Sequence, residues 1–437
     1  MISLCMIARN ESSCIGRCLT SVRDVVDEII VLDTGSTDET TEIARRLGAK
    51  VFHHSWNDDF SEARNRSLEH ATGDWILVLD ADETIARRDL EKIRALARGN
   101  FDGYRFTYRS YSQNSHDMRW VANDRSYEEG NGWDGWIPGR VVRMFKRDAR
   151  FRFVGAVHER IDQSIVNCGG TIATADIILH HFHEEKGEAR LREKQLHYLR
   201  LCEKNLARDP QNAKTHFDMG IVKRYIMGEV KQAIEHQRQA LKIDPSFEDA
   251  RMELALLHHL DGDSKAAARE LGALLERNPG YAAGWLLCGI MLEKNGKLDR
   301  AIECYERAVQ VNPSLIDARI SLGTLRFKTG DVVAARNEWE HAHKMNPSNA
   351  KVLLNLGALE LRDGNLSRAR ELLERALRQA PDSVPLWNNM GVLHARMGHT
   401  DEALAAFEKA LALDPSRLDT RRNIETIRTA ACRSTKS

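Results

Sequence analysis

Apolar and polar positions alternate in blocks along the first 80 residues of the chain. Compact apolar runs, the pattern of buried strands, cover residues 2–7, 28–32, 50–53 and 75–79. Between them, helices are predicted over Ser12–Val22, Ser36–Leu47 and Ser61–Ala71. The second of these helices is expected to begin at Ser36, because Ser36 and Glu39 have the spacing of a capping box. A strand followed by a helix, repeated in this way, predicts an α/β domain with a mostly parallel sheet.

Acidic residues follow two of the predicted strands. Asp33 comes directly after the second strand, and Asp80 and Asp82 come after the fourth. In open α/β sheets, ligands bind outside the carboxyl ends of the strands. Two carboxylates at alternate positions would attract a hard divalent cation that is completed by phosphate oxygens. An Asp-x-Asp triplet also caps helices, and another one occurs at residues 261–263, so the metal site and the helix cap stay open as alternatives.

The second half of the chain repeats with a period of 34 residues. The period appears in the prolines Pro245, Pro279, Pro313, Pro347, Pro381 and Pro415, and in the glycines Gly289, Gly323, Gly357 and Gly391. A unit of this length with small residues at fixed places is typical of the tetratricopeptide (TPR) repeat, a pair of helices. Six repeats are predicted, followed by a charged helix that caps the stack.

These two patterns divide the chain into three predicted parts. Residues 1–185 form an α/β domain, residues 186–208 a connecting helix, and residues 209–431 an all-α TPR superhelix. Because TPR superhelices bind partners along their concave face, the repeats are expected to recognise a partner. Any chemistry is expected in the first domain.

Composition excludes several classes of protein. Lys plus Arg equals Asp plus Glu at 64 each, so no strong field attracts nucleic acid. No apolar run approaches the ~18 residues of a membrane span. The first residues lack the basic start and the cleavage site of a signal peptide. The eight cysteines have no metal-ligand spacing. A cytoplasmic protein without a membrane span or a nucleic-acid partner is therefore expected.

Four segments in a fixed order resemble the family 2 glycosyltransferases of GT-A fold, and especially the bacterial members that carry TPRs. The segments read MIARNE, DTGSTDET, DFSEARN and LVLDADE. The resemblance covers residues 1–185 and implies a Rossmann-like GT-A domain. It further implies an enzyme that uses a nucleotide sugar, commonly a UDP-sugar, with Mg²⁺ or Mn²⁺.

The same resemblance implies roles for residues on the nucleotide side. Asp33 matches the aspartate that contacts the nucleotide base. The pocket around the base would be lined by Ala8, Arg9 and Glu11.

Further matching residues belong to the diphosphate and the metal. Arg64 and Asn65 match residues near the nucleotide and its diphosphate. Asp80 and Asp82 match the metal-binding pair, of which the second usually reaches the metal, and Asp80 also counts among the donor-binding residues.

The acceptor side is expected in Arg140–Ile161, which resembles a block that contributes a His-Glu pair. An inverting transfer needs one base that takes a proton from the acceptor. Glu159 is the candidate base, followed by His158. Alternatively, Glu159 pairs with an arginine of its own segment. Many family members use an acidic pair instead, which makes Glu128 and Glu129 further candidates.

Histidines follow the last apolar run of this domain. GT-A enzymes often complete the metal site with a histidine after the last strand, and imidazole serves Mn²⁺ beside carboxylates. His180 or His181 is the candidate ligand, but in an extended segment both cannot face the same side. The alternative is a polar hinge into a helix over Glu188–Leu206.

Three tryptophans lie in a segment with little periodicity: Trp120, Trp133 and Trp136. Exposed aromatic side chains there would stack on a sugar face, whereas buried ones would pack in the core.

Two functions compete at the level of the sequence. One is a transferase that moves a sugar to a protein, peptide or glycan acceptor bound with help from the repeats. The other is a non-catalytic scaffold with a degenerate transferase domain. Intact Asp33, Asp80 and Asp82 favour the enzyme. A nucleotidyltransferase is set aside, because no Gly-rich phosphate loop follows the first strand.

Overall fold

The computed structural model describes residues 1–113, 120–157, 159–183 and 188–434. Within these residues the chain divides into two compact units, with the boundary between Arg277 and Asn278. The first unit holds the α/β domain together with the first helices of the second half of the chain.

The α/β domain contains nine strands and five α-helices in its described residues. The strands are β1 (Ile2–Ala8), β2 (Glu28–Asp33), β3 (Lys50–His53), β4 (Trp75–Val78), β5 (Glu83–Ile85), β6 (Gly103–Ser112), β7 (Val121–Ala122), β8 (Gly135–Lys146) and β9 (Ile172–His181). The helices are α1 (Ile15–Val22), α2 (Thr40–Arg46), α3 (Phe60–Glu69), α4 (Leu90–Leu96) and α5 (Asp162–Asn167).

The strands form one sheet in the order β3-β2-β1-β4-β8-β6-β9-β5, with β7 beside β8. Strands β1 to β4 are parallel, β8 runs antiparallel to β4 and β6, and β9 is parallel to β6. The predicted α/β class, with a mostly parallel sheet, is confirmed. The carboxyl ends of β1, β2 and β4 therefore meet at one edge of the sheet, where ligands bind in such folds.

Both faces of the sheet are covered by apolar side chains. Leu4 and Met6 of β1 belong to the core on the α1 side, together with Leu19. Cys5 belongs to the core on the opposite side, with Leu68 of α3. Alternate residues of a strand point to opposite faces, so the continuous apolar run of β1 fills both cores.

The predicted capping box at the start of α2 is wrong. The helix begins at Thr40, and its N-cap residue Glu39 makes no side-chain cap bond. The backbone N–H of Ser36 instead donates to the Asp33 carboxylate at 3.1 Å. The Asp38 carboxylate accepts from the Thr40 N–H at 3.0 Å. Residues 34–39 therefore form a loop, because their polar groups hold the loop together and do not start a helix.

The described residues after the α/β domain form helices joined by short turns. The helices are α6 (Glu188–Arg208), α7 (Ala213–Tyr225), α8 (Val230–Ile243), α9 (Glu248–Leu260), α10 (Ser264–Arg277), α11 (Ala282–Lys294), α12 (Leu298–Val311), α13 (Ile316–Lys328), α14 (Val332–Met345), α15 (Ala350–Asp363), α16 (Leu366–Gln379), α17 (Val384–Arg396), α18 (Thr400–Leu413) and α19 (Leu418–Ser434). Helices α7 to α18 form six consecutive pairs, and α19 follows the last pair. No helix in the described ranges is both long and apolar enough to cross a lipid bilayer.

Glycines at the repeat period explain how the paired helices approach each other. A Cβ atom on Gly323 would lie 2.6 Å from Nε1 of Trp339 on the partner helix, so no larger side chain fits there. Gly330, in the turn between α13 and α14, has a φ of +96°, a conformation that L side chains rarely adopt. The periodic small residues thus mark the close helix contacts and the tight turns of each repeat.

Candidate active site

Two loops at the carboxyl ends of β1 and β2 are tied to each other. The backbone N–H of Asn10 donates to Ser36 Oγ at 2.9 Å, and that of Glu11 donates to Thr40 Oγ1 at 2.7 Å. Asn10 adopts a φ of +56°, in the left-handed region. The residues predicted for the nucleotide pocket lie at this edge of the sheet: Ala8, Arg9, Glu11 and Asp33.

Asp33 is buried at the end of β2. Its carboxylate accepts from the backbone N–H groups of Gly35 and Ser36 at 3.2 and 3.1 Å, and it lies 3.2 Å from His53 Nδ1. These bonds fix the loop after β2. Arg9, directly after β1, is exposed. A role of Asp33 at the nucleotide base stays a prediction.

A buried ion network lies at the end of β4. Arg64 of α3 donates from Nε to Glu159 Oε1 at 2.5 Å and from Nη2 to Asp80 Oδ1 at 2.7 Å. Arg143 of β8 donates from Nη2 to Asp80 Oδ2 at 2.8 Å and also to Glu83 Oε1. Both arginines are less than a tenth exposed. The network therefore gathers three carboxylates around two guanidinium groups.

The two guanidinium groups keep Asp80 ionised. Burial by itself would raise the pKa of the Asp80 carboxyl, but the positive charges of Arg64 and Arg143 outweigh burial and hold that pKa well below its usual range. Nη1 of Arg64 and Nε of Arg143 are buried without a hydrogen-bond partner among the described residues. Buried donors of this kind are costly unless a ligand satisfies them.

Asp82 and His181 form a second pair beside this network. Asp82 is 5 % exposed, and its Oδ2 lies 3.6 Å from His181 Nε2. The pairing of β5 with β9 places Glu83 opposite His181 and so brings the histidine to the Asp-x-Asp segment. Burial would lower the pKa of His181, but the nearby carboxylates, Asp82 first, outweigh burial and raise it.

His180 points away from Asp82, because successive residues of a strand face opposite sides. It is fully buried, its Nδ1 lies 2.8 Å from the Tyr111 hydroxyl, and its Nε2 lies 4.0 Å from Glu129 Oε2. Burial, with a contribution from Arg109, lowers the pKa of His180 to about 3. Of the two predicted histidines, His181 is therefore the one beside Asp82.

The family resemblance implies a bound Mg²⁺ or Mn²⁺, and the side chains at the carboxyl end of β4 include two that could serve as its ligands, Asp82 and His181. No set of three His, Cys, Asp or Glu in the described part of the chain is arranged to hold a metal ion. Asp82 and His181 supply one carboxylate and one imidazole, whereas both oxygens of Asp80 are held by arginines. Mg²⁺ sites often use one or two carboxylates and take the remaining ligands from substrate phosphates and water. The donor set fits a cation completed by a phosphorylated substrate.

Comparison with known proteins identifies the family. The Glycosyl transferase family 2 model matches residues 3–151, and tetratricopeptide repeat models match residues 225–282, 282–315 and 348–416. A TPR repeat-containing protein of Synechococcus elongatus is 33% identical over 341 residues, which are 71% of this chain and 76% of the relative. The chain belongs to the family 2 glycosyltransferases that carry tetratricopeptide repeats.

A relative named as a glycosyltransferase supports this assignment. Glycosyltransferase SunS of Bacillus phage SPbeta is 26% identical over 299 residues, which are 67% of this chain and 59% of SunS. The predicted combination of a family 2 domain with TPRs is thus confirmed, and the protein is a glycosyltransferase. Asp33, Arg64, Asp80 and Asp82 lie within the residues matched by the family model, whereas Glu159 and His181 lie beyond them.

The structure bears on the alternative in which Glu159 pairs with an arginine of its own segment. The ion-pair partner of Glu159 is Arg64, which comes from α3 and not from the segment Arg140–Ile161. His158, the second candidate base, lies outside the described residues. The structure leaves Glu159 at the site, 12 % exposed in its side chain, and its role as a base stays a prediction.

Asn65 supports the backbone next to the site. Its Nδ2 donates to the carbonyl of Phe153 at 2.9 Å, and its Oδ1 accepts from the Phe153 N–H at 2.8 Å. Both ends of the amide therefore bind the segment that leads to Glu159. Asn65 therefore supports the chain that leads to Glu159, and its role near the nucleotide and diphosphate stays a prediction.

Of the two alternatives for the three tryptophans, packing in the core holds for Trp120 and Trp136. Trp120 is 2 % exposed and donates from Nε1 to the Ser112 carbonyl at 3.0 Å. Trp136 is 6 % exposed and lies under the Arg109 guanidinium at 3.9 Å. Trp133 is half-buried beside Tyr111. These rings pack in the core because β6, β7 and β8 enclose them.

Sequence reasoning missed Arg143 and Glu83 as members of the site. Arg143 lies on β8, which pairs with β4, so its side chain reaches the end of that strand. Glu83 begins β5, and its Oε2 accepts from the Asp80 N–H at 2.9 Å. The only sequence signal for Glu83 was its place directly after the Asp-x-Asp triplet.

Proposed function

We propose that this glycosyltransferase is an inverting, metal-dependent enzyme that takes a sugar from a UDP-sugar and transfers it to an acceptor held in part by the repeats. The observation that carries the proposal is the arginine pair Arg64 and Arg143. Each has a buried nitrogen without a partner among the described residues, at the carboxyl end of β4. A diphosphate would satisfy these nitrogens.

The donor would lie along the carboxyl ends of β1, β2 and β4. Guanidinium groups bind phosphate oxygens through planar, directed N–H donors, and this geometry suits Arg64 and Arg143. The tied loops after β1 and β2, with Asp33, Glu11 and Arg9, would then surround the nucleotide base. Because these loops are fixed by hydrogen bonds to each other, the pocket would be formed before the donor binds.

Asp82 and His181 would hold the divalent cation. When bound there, Mg²⁺ or Mn²⁺ neutralises negative charge that develops on the departing diphosphate. The carboxylate of Asp82 suits either ion, and the imidazole of His181 favours Mn²⁺. The Asp80 carboxylate would keep the two arginines oriented.

Glu159 would act as the base. Its carboxylate takes the proton from the acceptor as the acceptor attacks the anomeric carbon from the face opposite the diphosphate, which inverts the configuration. Arg64 binds both Glu159 and Asp80, so it would fix the base relative to the donor site. A base within hydrogen-bond reach of the acceptor contributes typically 10²–10⁴-fold to the rate.

A test with the full-length protein compares UDP-sugars with other nucleotide sugars. We expect UDP to bind only when Mn²⁺ or Mg²⁺ is present, and we expect slow hydrolysis of one UDP-sugar that EDTA abolishes. Calorimetry measures the binding, and chromatography of the released nucleotide measures the hydrolysis.

Two results would contradict this proposal. Binding and hydrolysis that are unaffected by EDTA would argue against the metal. Absence of binding for every nucleotide sugar, with either cation, would favour the scaffold function instead.

The repeats are proposed to bind a protein, peptide or glycan acceptor. Asn355 and Asn389 occupy equivalent positions of α15 and α17, 34 residues apart, and are partly exposed. Amide side chains at a repeated position can bind the backbone of a peptide or the hydroxyls of a glycan. Two such residues, of which Asn355 already donates to Thr324 Oγ1 at 3.3 Å, do not form a ladder, so the proposal rests mainly on the concave binding face that TPR superhelices share.

Removal of the second unit tests that role. A chain that ends at Arg277 keeps the whole first unit, and we expect it to hydrolyse the donor at the wild-type rate. It should lose at least about 10-fold in transfer to macromolecules of a cell extract, because positioning of the acceptor is lost. Incorporation of radiolabelled sugar measures the transfer.

A chain that ends at Arg277 keeps the contacts between α6 and α7, which a shorter chain would lose. Cys202 and Leu206 of α6 pack against Met219 and Val222 of α7, so a chain ending at Arg208 would expose this apolar cluster. Exposed apolar clusters of this kind promote aggregation. Equal labelling by the shortened and the full-length protein would show that the second unit has another role.

A further inference from the structure

Two cysteines of the second compact unit face each other across a pair of helices. Cys288 lies on α11 and Cys304 on α12, and the S–H group of Cys304 donates to Cys288 Sγ at 3.4 Å. Both side chains are free thiols. The fold therefore brings together two thiols that stand 16 residues apart in the sequence.

The two helices approach each other closely at the level of these thiols. A Cβ atom on Gly289, the residue after Cys288, would lie 2.4 Å from the ring of Tyr305, the residue after Cys304. An S–S bond is about 2.05 Å long, so the two sulfur atoms would have to approach each other by about 1.4 Å to form one. We expect rotation of the two short side chains to cover this distance, because the helices that carry them are already in contact.

The two thiols differ in exposure and in acidity. Cys288 is partly exposed, whereas Cys304 is 8% exposed. The hydrogen bond from Cys304 outweighs burial and lowers the pKa of Cys288, with a further contribution from Arg300. The same hydrogen bond, together with burial, raises the pKa of Cys304. Because the thiolate is the nucleophilic form of cysteine, Cys288 is the thiol that can react first with a reagent from solvent.

The architecture of the repeats does not require cysteine at either position. The residues 34 or 68 positions away from Cys288 are Leu254, Leu322 and Leu356, and those around Cys304 are Glu270, Glu338 and Leu372. Aliphatic and acidic side chains thus occupy these places in other helix pairs of the same kind. The thiol pair is a property of the repeat α11–α12 and not of the fold.

We propose that Cys288 and Cys304 form a site of reversible thiol oxidation, at which hydrogen peroxide produces a disulfide that ties α11 to α12. This site is independent of the proposed transferase function. It would give the repeat half of the molecule two covalent states, a dithiol and a disulfide. In reducing compartments, disulfides of this kind are transient and often serve redox sensing.

The oxidation takes place in two steps. The Cys288 thiolate attacks one oxygen of the peroxide, so that an S–O bond forms as the O–O bond breaks, and the departing hydroxide takes up a proton to give water. The Cys304 sulfur then attacks the sulfenic sulfur of Cys288. An S–S bond forms as the S–O bond breaks, and hydroxide leaves with the Cys304 proton as a second water. Two exchange steps with a low-molecular-weight thiol restore the dithiol.

Peptide mapping of the full-length protein tests the proposal. The protein is treated with hydrogen peroxide, its remaining thiols are blocked with iodoacetamide, and it is digested with trypsin. Cleavage after Lys294 and Arg300 places Cys288 and Cys304 in separate peptides. We expect mass spectrometry to show these two peptides joined by a disulfide in most molecules. Dithiothreitol should separate them and restore both thiols.

Serine variants test the order of the two steps. In Cys304→Ser the reaction should stop at the sulfenic acid of Cys288, so labelling of Cys288 by dimedone should be at least about 10-fold stronger than in the wild type. In Cys288→Ser, Cys304 should stay unmodified at the same peroxide concentration. Melting temperatures show that both variants fold.

The matched control is Cys168→Ser in the α/β domain. Cys168 is also partly exposed, but its sulfur contacts the Arg150 carbonyl at 3.7 Å. This variant should form the disulfide between α11 and α12 to the same extent as the wild type.

Several outcomes would overturn the inference. Iodoacetamide on both Cys288 and Cys304 after peroxide treatment would show that the pair is inert. A disulfide from either residue to another cysteine, or unchanged dimedone labelling in Cys304→Ser, would also contradict it. Each of these results would leave the proposed transferase function standing. An enzyme that turns over no nucleotide sugar but forms the disulfide would overturn only the proposed function.

Discussion

Replacement of Asp82 by asparagine is expected to abolish sugar transfer and to leave the fold intact. Asparagine has nearly the same shape as aspartate but carries no charge. The variant would therefore lose the negative charge beside His181 that the proposed cation needs. Stabilisation of departing charge by a metal ion is worth several kcal/mol. A loss of about 4 kcal/mol corresponds to a decrease in kcat of about 10³-fold.

The chain offers a matched control for this variant. Asp261 begins the second Asp-x-Asp triplet and is exposed between α9 and α10, so Asp261→Asn should keep wild-type turnover. Donor hydrolysis and transfer are measured with Mn²⁺ and Mg²⁺, and melting temperatures show that both variants fold. Wild-type turnover in Asp82→Asn would rule out Asp82 as the cation ligand.

Replacement of Glu159 by glutamine is expected to lower transfer by about 10²–10⁴-fold, the contribution typical of a positioned base. The amide oxygen of glutamine can still accept the hydrogen bond that Arg64 Nε now donates at 2.5 Å. The geometry of the Arg64–Asp80 contact should therefore survive, and the affinity for UDP should stay near the wild-type value. Only the ability to take the acceptor proton is lost.

Kinetics and calorimetry separate the possible roles of Glu159. Transfer is measured at saturating donor, and UDP binding is measured on the same preparation. Glu128→Gln is the control, because Glu128 is exposed in the loop between β7 and β8. A loss of UDP affinity in Glu159→Gln would show that its pair with Arg64 is structural. A loss of transfer in the Glu128 variant alone would move the base to that residue.

The repeated half of the molecule could be predicted from sequence almost entirely, because its determinants are local. Each helix pair depends on residues within one period, such as Gly323 against Trp339 of the next helix and Gly330 in the turn between them. The same is true of the first four strands, whose apolar runs are short and continuous. Residues near each other in sequence decide these elements, so the pattern along the chain contains the information.

The local sequence pattern gave a wrong prediction where groups from elsewhere in the chain bind the same polar residue. Ser36 and Glu39 have the spacing of a capping box, but in the fold Ser36 binds Asp33 and accepts from Asn10. The tryptophans between residues 120 and 136 likewise lie in a segment without periodicity from which burial could be predicted. Trp120 and Trp136 are buried because non-neighbouring strands pack around them.

The sequence by itself determined the α/β domain followed by helical repeats, and it located Asp33, Asp80 and Asp82 at strand ends. Only the tertiary structure decided which side chains meet there. Arg143 reaches Asp80 across 63 residues of sequence through the pairing of β8 with β4, and His181 reaches Asp82 through the pairing of β9 with β5. Strand register sets the direction of each side chain, and register between distant strands is not encoded in any local pattern.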